Sequence, residues 1–221
     1  MKRKVWIPVF SIVCVSALLC ACGTYKKKKF LDYFQAFRLD SLQISSASNA
    51  GFYLDPNINP DVRGTTIDSV YWEKLFLDGT EDMDEFFPNG IEQGPLAYYK
   101  IRLTNAGYYL IIIRSAGMYW NSRFYACIYN SGEEQIESAV LIADYLSYAR
   151  GKFICASVLK KEDHNWSISI HEYYQEPFDY YQHQVDSFQV REINTVISTL
   201  WVDDRYEFEQ KSKQENSYVG R

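Results

Sequence analysis

Side chains able to do acid–base or metal chemistry are few in this chain, and their spacing matches none of the common catalytic patterns. The three histidines are His164, His171 and His183. His164 lies in a turn-like Glu162-Asp163-His164-Asn165 stretch, and His183 follows Tyr180-Tyr181-Gln182. His171 stands beside Glu172 in an alternating Trp166-Ser167-Ile168-Ser169-Ile170-His171 run. Neighbours on a strand point to opposite faces, so His171 and Glu172 do not converge on one substrate. The sequence holds no His-Glu-x-x-His zinc helix, Gly-x-Ser-x-Gly elbow, phosphate-cradling glycine loop or dinucleotide fingerprint. A glycan hydrolase would need two carboxylates about 5–10 Å apart across a cleft, for which Glu172 and Asp186 are the candidates. Asp55, Asn57, Asn59 and Asp61 alternate as at the start of a calcium loop. Pro60 replaces the turn glycine, however, and Thr66 the bidentate glutamate. Asp78, Thr80, Asp82 and Asp84 repeat the alternation without the rest of the pattern. The expectation is a protein with no catalytic residues, no metal and no cofactor.

The richer constellation is aromatic. Aromatic residues make up 17% of the chain, with 19 tyrosines, more ring surface than a core of this size needs. A phenol or indole buries a large area with few rotatable bonds and carries a polar tip, so such rings grip sugar faces or protein partners. Tyr119 and Trp120, in a loop-like Ser115–Asn121 stretch, and Tyr173, Tyr174, Tyr180 and Tyr181 are the expected ligand or partner contacts.

These residues require a scaffold, and the periodicity predicts a mainly β one. Strands are expected at 96–103, 107–114, 123–130, 135–143, 151–160, 165–174, 184–193 and 195–202, joined by short turn-forming links. Tyr108-Tyr109-Leu110-Ile111-Ile112-Ile113 is apolar on both faces and should be a central strand, whereas 166–171 alternates as a strand with one wet face. Successive strands with short connections give an antiparallel meander, curled into a barrel or folded into a sandwich. Phe30, Tyr33, Phe34 and Phe37 suggest one short helix. Ile67, Val70, Tyr71, Lys74 and Leu75 suggest a second, capped by Thr66. Residues 45–65 read as a long loop, 78–90 as an acidic loop, and 205–221 as a frayed polar tail. The organisation is therefore a single β-rich domain over 30–204, with a helical and loop part to 95 and strands from 96.

The formal charge is −5, which is a poor match to nucleic acid, whose phosphates need a basic face. Of five cysteines, Cys127 and Cys155 fall mid-strand in the domain. With one strand between them they sit about 9–10 Å apart, too far for a disulfide. Two buried thiols are expected.

The N-terminus carries the clearest motif. Lys2, Arg3 and Lys4 precede an apolar run from Val5 to Leu19, and Leu19-Cys20-Ala21-Cys22 follows. This is the layout of a secretory signal ending in a cysteine. It resembles the lipobox of bacterial lipoproteins, with Leu19 three before the cysteine and small Ala21 directly before it. Cys20 is a rival site, but bulky Leu19 precedes it. The resemblance implies a signal peptide over 1–21, cleavage after Ala21, and palmitate-type acyl chains on Cys22. It covers about the first tenth of the chain. Two or three acyl chains give durable attachment at about 0.8 kcal/mol per buried CH₂. Cleavage would leave 200 of the 221 residues, and losing Lys2, Arg3 and Lys4 takes the charge from −5 to about −8. Gly23, where an Asp would favour inner-membrane retention, implies the outer membrane. Residues 22–29 form a basic tether, whose lysines at 26–29 can lie against anionic head groups. The tether and tyrosine-rich strands also look similar to lipoproteins of the Bacteroidetes, a likeness that implies no activity. The expected function is a lipid-anchored, non-catalytic binding module of the cell envelope, touching a glycan or an envelope protein. A glycan hydrolase and an immunity-type protein covering a basic partner are the alternatives.

Overall fold

Tyr108–Arg114 and Phe124–Asn130 are almost wholly apolar, and a strand with no polar face must be covered on both sides. The computed structural model accounts for that cover. It describes residues 29–47, 51–54, 64–71, 95–105, 107–114, 123–148, 151–177 and 188–220. Their strands are β1 (Gln35–Ala36), β2 (Ser41–Ala47), β3 (Gly51–Leu54), β4 (Thr65–Thr66), β5 (Leu96–Arg102) and β6 (Tyr108–Arg114). They continue with β7 (Phe124–Asn130), β8 (Gln135–Tyr148), β9 (Gly151–Glu162), β10 (Asn165–Pro177), β11 (Phe188–Val202) and β12 (Arg205–Gly220). From β5 to β12 each strand hydrogen-bonds to the next, which makes the expected antiparallel meander; the sheet does not close.

The sheet folds into two layers at β8. Residues Gln135 to Ala143 of β8 pair with β7, and Asp144 to Tyr148 pair with β9. Where β8 leaves, β2 takes over the same edge of β9, from Ser41↔Lys160 to Ile44↔Ser157. Leu42 and Ile44 of β2 are thereby buried between the layers. They meet Leu110, Ile112, Ala126 and Ile128 of the first layer and Cys155, Leu159, Ile168 and Ile170 of the second. At the turn itself Arg123 Nε donates to Asp144 Oδ2 at 3.1 Å, and the Asp144 side chain is only 1% exposed.

The other face of the first layer is also covered. Phe30, Phe34 and Ile67 are buried there with Ile111, Ile113, Tyr125, Cys127 and Tyr129. Phe30 meets Tyr129 at a centroid distance of 4.8 Å. Gly64 is required where the chain crosses β5, because a Cβ would lie 2.8 Å from the Tyr98 ring. At one end the layers are tied by Tyr108, Trp201 and Tyr206, with ring centroids 5.0–5.5 Å apart. Asn130 Nδ2 donates to Glu137 Oε1 at 2.8 Å and to Tyr108 Oη at 3.1 Å beside them.

Several expectations are corrected. The helix expected from Phe30 to Phe37 is a 3₁₀ turn, Phe30–Tyr33, followed by β1: its aromatic spacing serves a covering segment, not a long helix. Thr66 ends a short strand and does not cap a helix, and a helical turn follows at 69–71. Lys74, Leu75 and the 78–90 loop lie outside the described residues. Part of the 45–65 loop is a hairpin of β2 and β3, with Ile44↔Leu54 to Ala47↔Gly51 paired. The strands expected at 184–193 and 195–202 are one strand, β11, because Asn194 is a ladder residue paired with His171 and Gln214. The tail expected to fray is β12. Asp203 and Asp204, both at positive φ, form the tight turn that returns the chain against β11. Cys127 and Cys155 are free and buried, as expected, and they face different cores.

Arg123→Ala removes the cation facing a buried carboxylate. We expect it to lower the unfolding free energy by about 3 kcal/mol in urea titrations.

Candidate functional site

The outer surfaces of the two layers differ. The first is covered by the N-terminal segment, whereas the second, built from β9 to β12, carries exposed side chains. Strand alternation sorts this second layer. Phe153, Cys155, Ser157 and Leu159 of β9 point inward and are buried, while Val158 and Lys160 point outward and are exposed. On β10, Trp166, Ile168 and Ile170 point inward, and Ser169, His171 and Tyr173 outward.

The outward residues form cross-strand rows. His171, Asn194 and Gln214 stand side by side, and His171 Nδ1–H donates to Asn194 Oδ1 at 2.9 Å. In the next row Tyr173, Glu192 and Asn216 are neighbours, followed by Gln175, Val190 and Tyr218. Tyr218 Oη donates to Glu192 Oε1 at 3.1 Å, so two phenol rings flank one carboxylate. That hydrogen bond, with a smaller contribution from burial, raises the Tyr218 pKa and keeps the phenol a donor. On the far side of Tyr173, the Lys152 ammonium lies 5.1 Å from the ring centroid, and the Tyr173 hydroxyl donates to Gln175 Oε1 at 3.2 Å. Tyr218 is 49% exposed. The arrangement supplies aromatic rings, a carboxylate, amides and an imidazole on one face of the sheet, with Val190 buried among them.

Of the aromatic candidates, Tyr173 and Tyr174 are described, and the strand pleat sends them to opposite faces. Tyr174 belongs to the inner stack. Its ring lies 4.6 Å from that of Phe153, the Arg191 guanidinium lies 4.3 Å over it, and its hydroxyl donates to Glu172 Oε1 at 3.3 Å. Burial, reinforced by the Glu172 charge, pushes the Tyr174 phenol up to about 12. Glu172 is thus engaged by a phenol, and Asp186, its expected partner in hydrolysis, lies outside the described residues. So do Cys22, Tyr119, Trp120, Tyr180, Tyr181, His183 and the acidic residues of the calcium-like stretches. Burial raises the pKa of both thiols, which keeps Cys127 and Cys155 unreactive. Among the described residues no cluster of three or more His, Cys, Asp or Glu could hold a metal, and no helix is long and apolar enough to cross a membrane.

Tyr218, Glu192, Asn194 and Lys152 were not legible as site residues. Tyr218 falls in the segment expected to fray, although the alternation Tyr206-Glu207-Phe208-Glu209 after Asp203-Asp204 is a hairpin signal. No protein-family model matches the chain, and no curated protein or solved structure shows significant similarity to it.

Raising the Tyr174 pKa above the ordinary 10 favours the neutral phenol in the fold. The resulting stability is full below pH 10 and is lost as pH rises toward 12, because the unfolded chain releases that proton first. Glu172→Gln removes the neighbouring charge. The Tyr174 ionisation, isolated at 295 nm by difference against Tyr174→Phe, should then move to lower pH.

Proposed function

We propose that this chain is an exported lipoprotein, held on a bilayer through acylated Cys22, that binds envelope glycan non-covalently with the outer face of β9–β12. The observation that carries the binding reading is the contrast between a first layer covered by Phe30, Phe34 and Ile67 and a second layer whose outer face exposes hydrogen-bonded polar groups and Tyr218. A pyranose ring offers a C–H face to a phenol and hydroxyls to Glu192, His171, Asn194 and Gln175. The same face also carries the apolar Ile154, Val158, Val190 and Val196, paired with Tyr173, Ser169, Gln175 and Ser169. Tyr119, Trp120, Tyr180 and Tyr181 remain proposed contacts of the same kind.

The tether supports the orientation. Phe30 is fixed on the outside of the first layer, and residues 24–29 reach at most about 20 Å. The first layer then faces the membrane, and the exposed face of β9–β12, on the opposite side of the fold, points away from it. The lipobox residues Leu19, Ala21 and Cys22, with Gly23 following, support an acyl anchor in the outer membrane.

Two measurements test this reading. Labelling cells with a palmitate analogue should mark the wild type and not Cys22→Ser; labelling that persists in the variant would move the site to Cys20 or refute the anchor. On a glycan array, Tyr173→Ala and Tyr218→Ala should each weaken binding about ten-fold or more, in line with loss of an aromatic anchor. A wild-type protein that retains no glycan would sink the ligand class.

A further inference from the structure

The geometry points to β12 as the interface of a two-fold dimer, in which it pairs antiparallel with β12 of a second copy. β12 is the last strand of the sheet, so its second edge has no strand partner among the described residues. Tyr206 and Phe208 pack toward the core, but from Glu209 to Val219 its side chains are exposed on both faces. Among the described residues, its strand pairing there is the ladder to β11. Such an edge presents a row of backbone N–H and C=O groups ready for another strand. One bulge interrupts it, at Lys211 between Ile197↔Gln210 and Val196↔Ser212; from Ser212 to Gly220 the ladder is regular.

The charges on this regular part select the partner and the register. When a strand pairs with its own copy about an axis perpendicular to the sheet, residues equidistant from the axis face each other. An axis at Ser212 sets Lys211 against Lys213, an axis at Lys213 sets that lysine against itself and brings Lys211 to Glu215 only across the bulge, and an axis at Glu215 sets the glutamate against itself. An axis at Asn216 makes no charged pair. An axis at Gln214 sets Lys213 of each copy against Glu215 of the other, Ser212 against Asn216, and Gln214 against Gln214. Like charges directly opposite destabilise a ladder and unlike charges support it, so this register is the favoured one. The sequence is complementary to itself, which a foreign strand need not match.

This axis also suits a membrane. It runs perpendicular to the sheet layers, so on the proposed orientation both Cys22 anchors reach the same bilayer. Both outer faces of β9–β12 then point away from it as one continued surface, able to engage a polymer at two points. The pairing does not depend on what that surface binds.

The test uses the full chain in the membrane of expressing cells. Across the axis the Gln214 Cα atoms fall at about 4.5–5.5 Å, within disulfide range. Gln214→Cys under mild oxidation should therefore give a disulfide-linked dimer on a non-reducing gel, and Ser169→Cys, on the exposed face away from the edge, should not. Adding Lys213→Glu or Glu215→Lys to Gln214→Cys sets like charges opposite and should cut the linked fraction about ten-fold. The double exchange Lys213→Glu with Glu215→Lys should restore it, which separates pairing from misfolding. Equal linking at Ser169→Cys and Gln214→Cys, or linking that either single charge change leaves intact, would overturn the proposal. A glycan array on the chain with Gln214 unchanged reads the ligand separately.

Discussion

The fold depends on one strand changing layers. β8 satisfies β7 with its first part and β9 with its second, so the meander bends between Ala143 and Asp144 without breaking its hydrogen-bond path. A bend in a sheet leaves backbone groups unpaired on the strand that is left behind, and buried unpaired groups are costly. Here β2 fills the vacated edge of β9, and its Leu42 and Ile44 fill the space that opens between the layers. Asp144 at the bend is buried with Arg123 as its ion-pair partner. A buried carboxylate is tolerated only with such partners, so the position of Arg123 just before β7 is tied to where β8 turns.

That constraint explains which parts of the fold were legible. Tyr108–Ile113 announced a central strand because every residue is apolar, and the structure buries both its faces, one against the second layer and one under Phe30, Phe34 and Ile67. The 166–171 alternation announced a one-sided strand for the same reason: Ser169 and His171 are exposed on the outer face, whereas Ser167 is buried opposite Ser198. Local pattern failed where pairing, not burial, decides the state. β12 beyond Phe208 buries no side chain, so no hydrophobic period marks it; β11 and the Asp203-Asp204 turn impose its conformation. β2 failed likewise, since its strand state comes from the edge that β8 abandons. Tyr173 was legible as an aromatic candidate. Its setting beside Glu192 and Tyr218 was not, because a cross-strand row joins residues far apart in sequence.

The two tyrosines of β10 show how little residue type alone decides. Tyr173 and Tyr174 are adjacent and chemically identical, yet the pleat gives them different work. Tyr174 is sandwiched by Phe153 and the Arg191 guanidinium, and its hydroxyl is bound to Glu172 in a partly desolvated setting that holds the proton on. It packs with Phe153 against the core between the layers. Tyr173 faces the other way, its ring edged by the Lys152 ammonium. Arg191 and Glu192 follow the same division one strand on, the first on the inner stack and the second between the two outer rings. Charged side chains on both faces are thereby tied to aromatic partners, which orders long side chains without burying an unpaired charge.

A β face that exposes many polar side chains is stable only if the opposite face provides most of the burial. In the second layer that burial comes from Cys155, Leu159, Ile168 and Ile170, all at the centre of β9 and β10. Moving outward to β12 the inner face becomes polar too, so hydrophobic support fades across the sheet while the hydrogen-bond ladder continues. The outer rows on β12 are therefore held by the ladder to β11, and the Tyr218–Glu192 bond joins the two strands. A second strand beyond β12 would move the edge away from Tyr218 and fix the row from both sides. The exposed face and the edge of β12, which has no second strand among the described residues, are thus coupled: pairing at that edge would support the row proposed to hold the ligand.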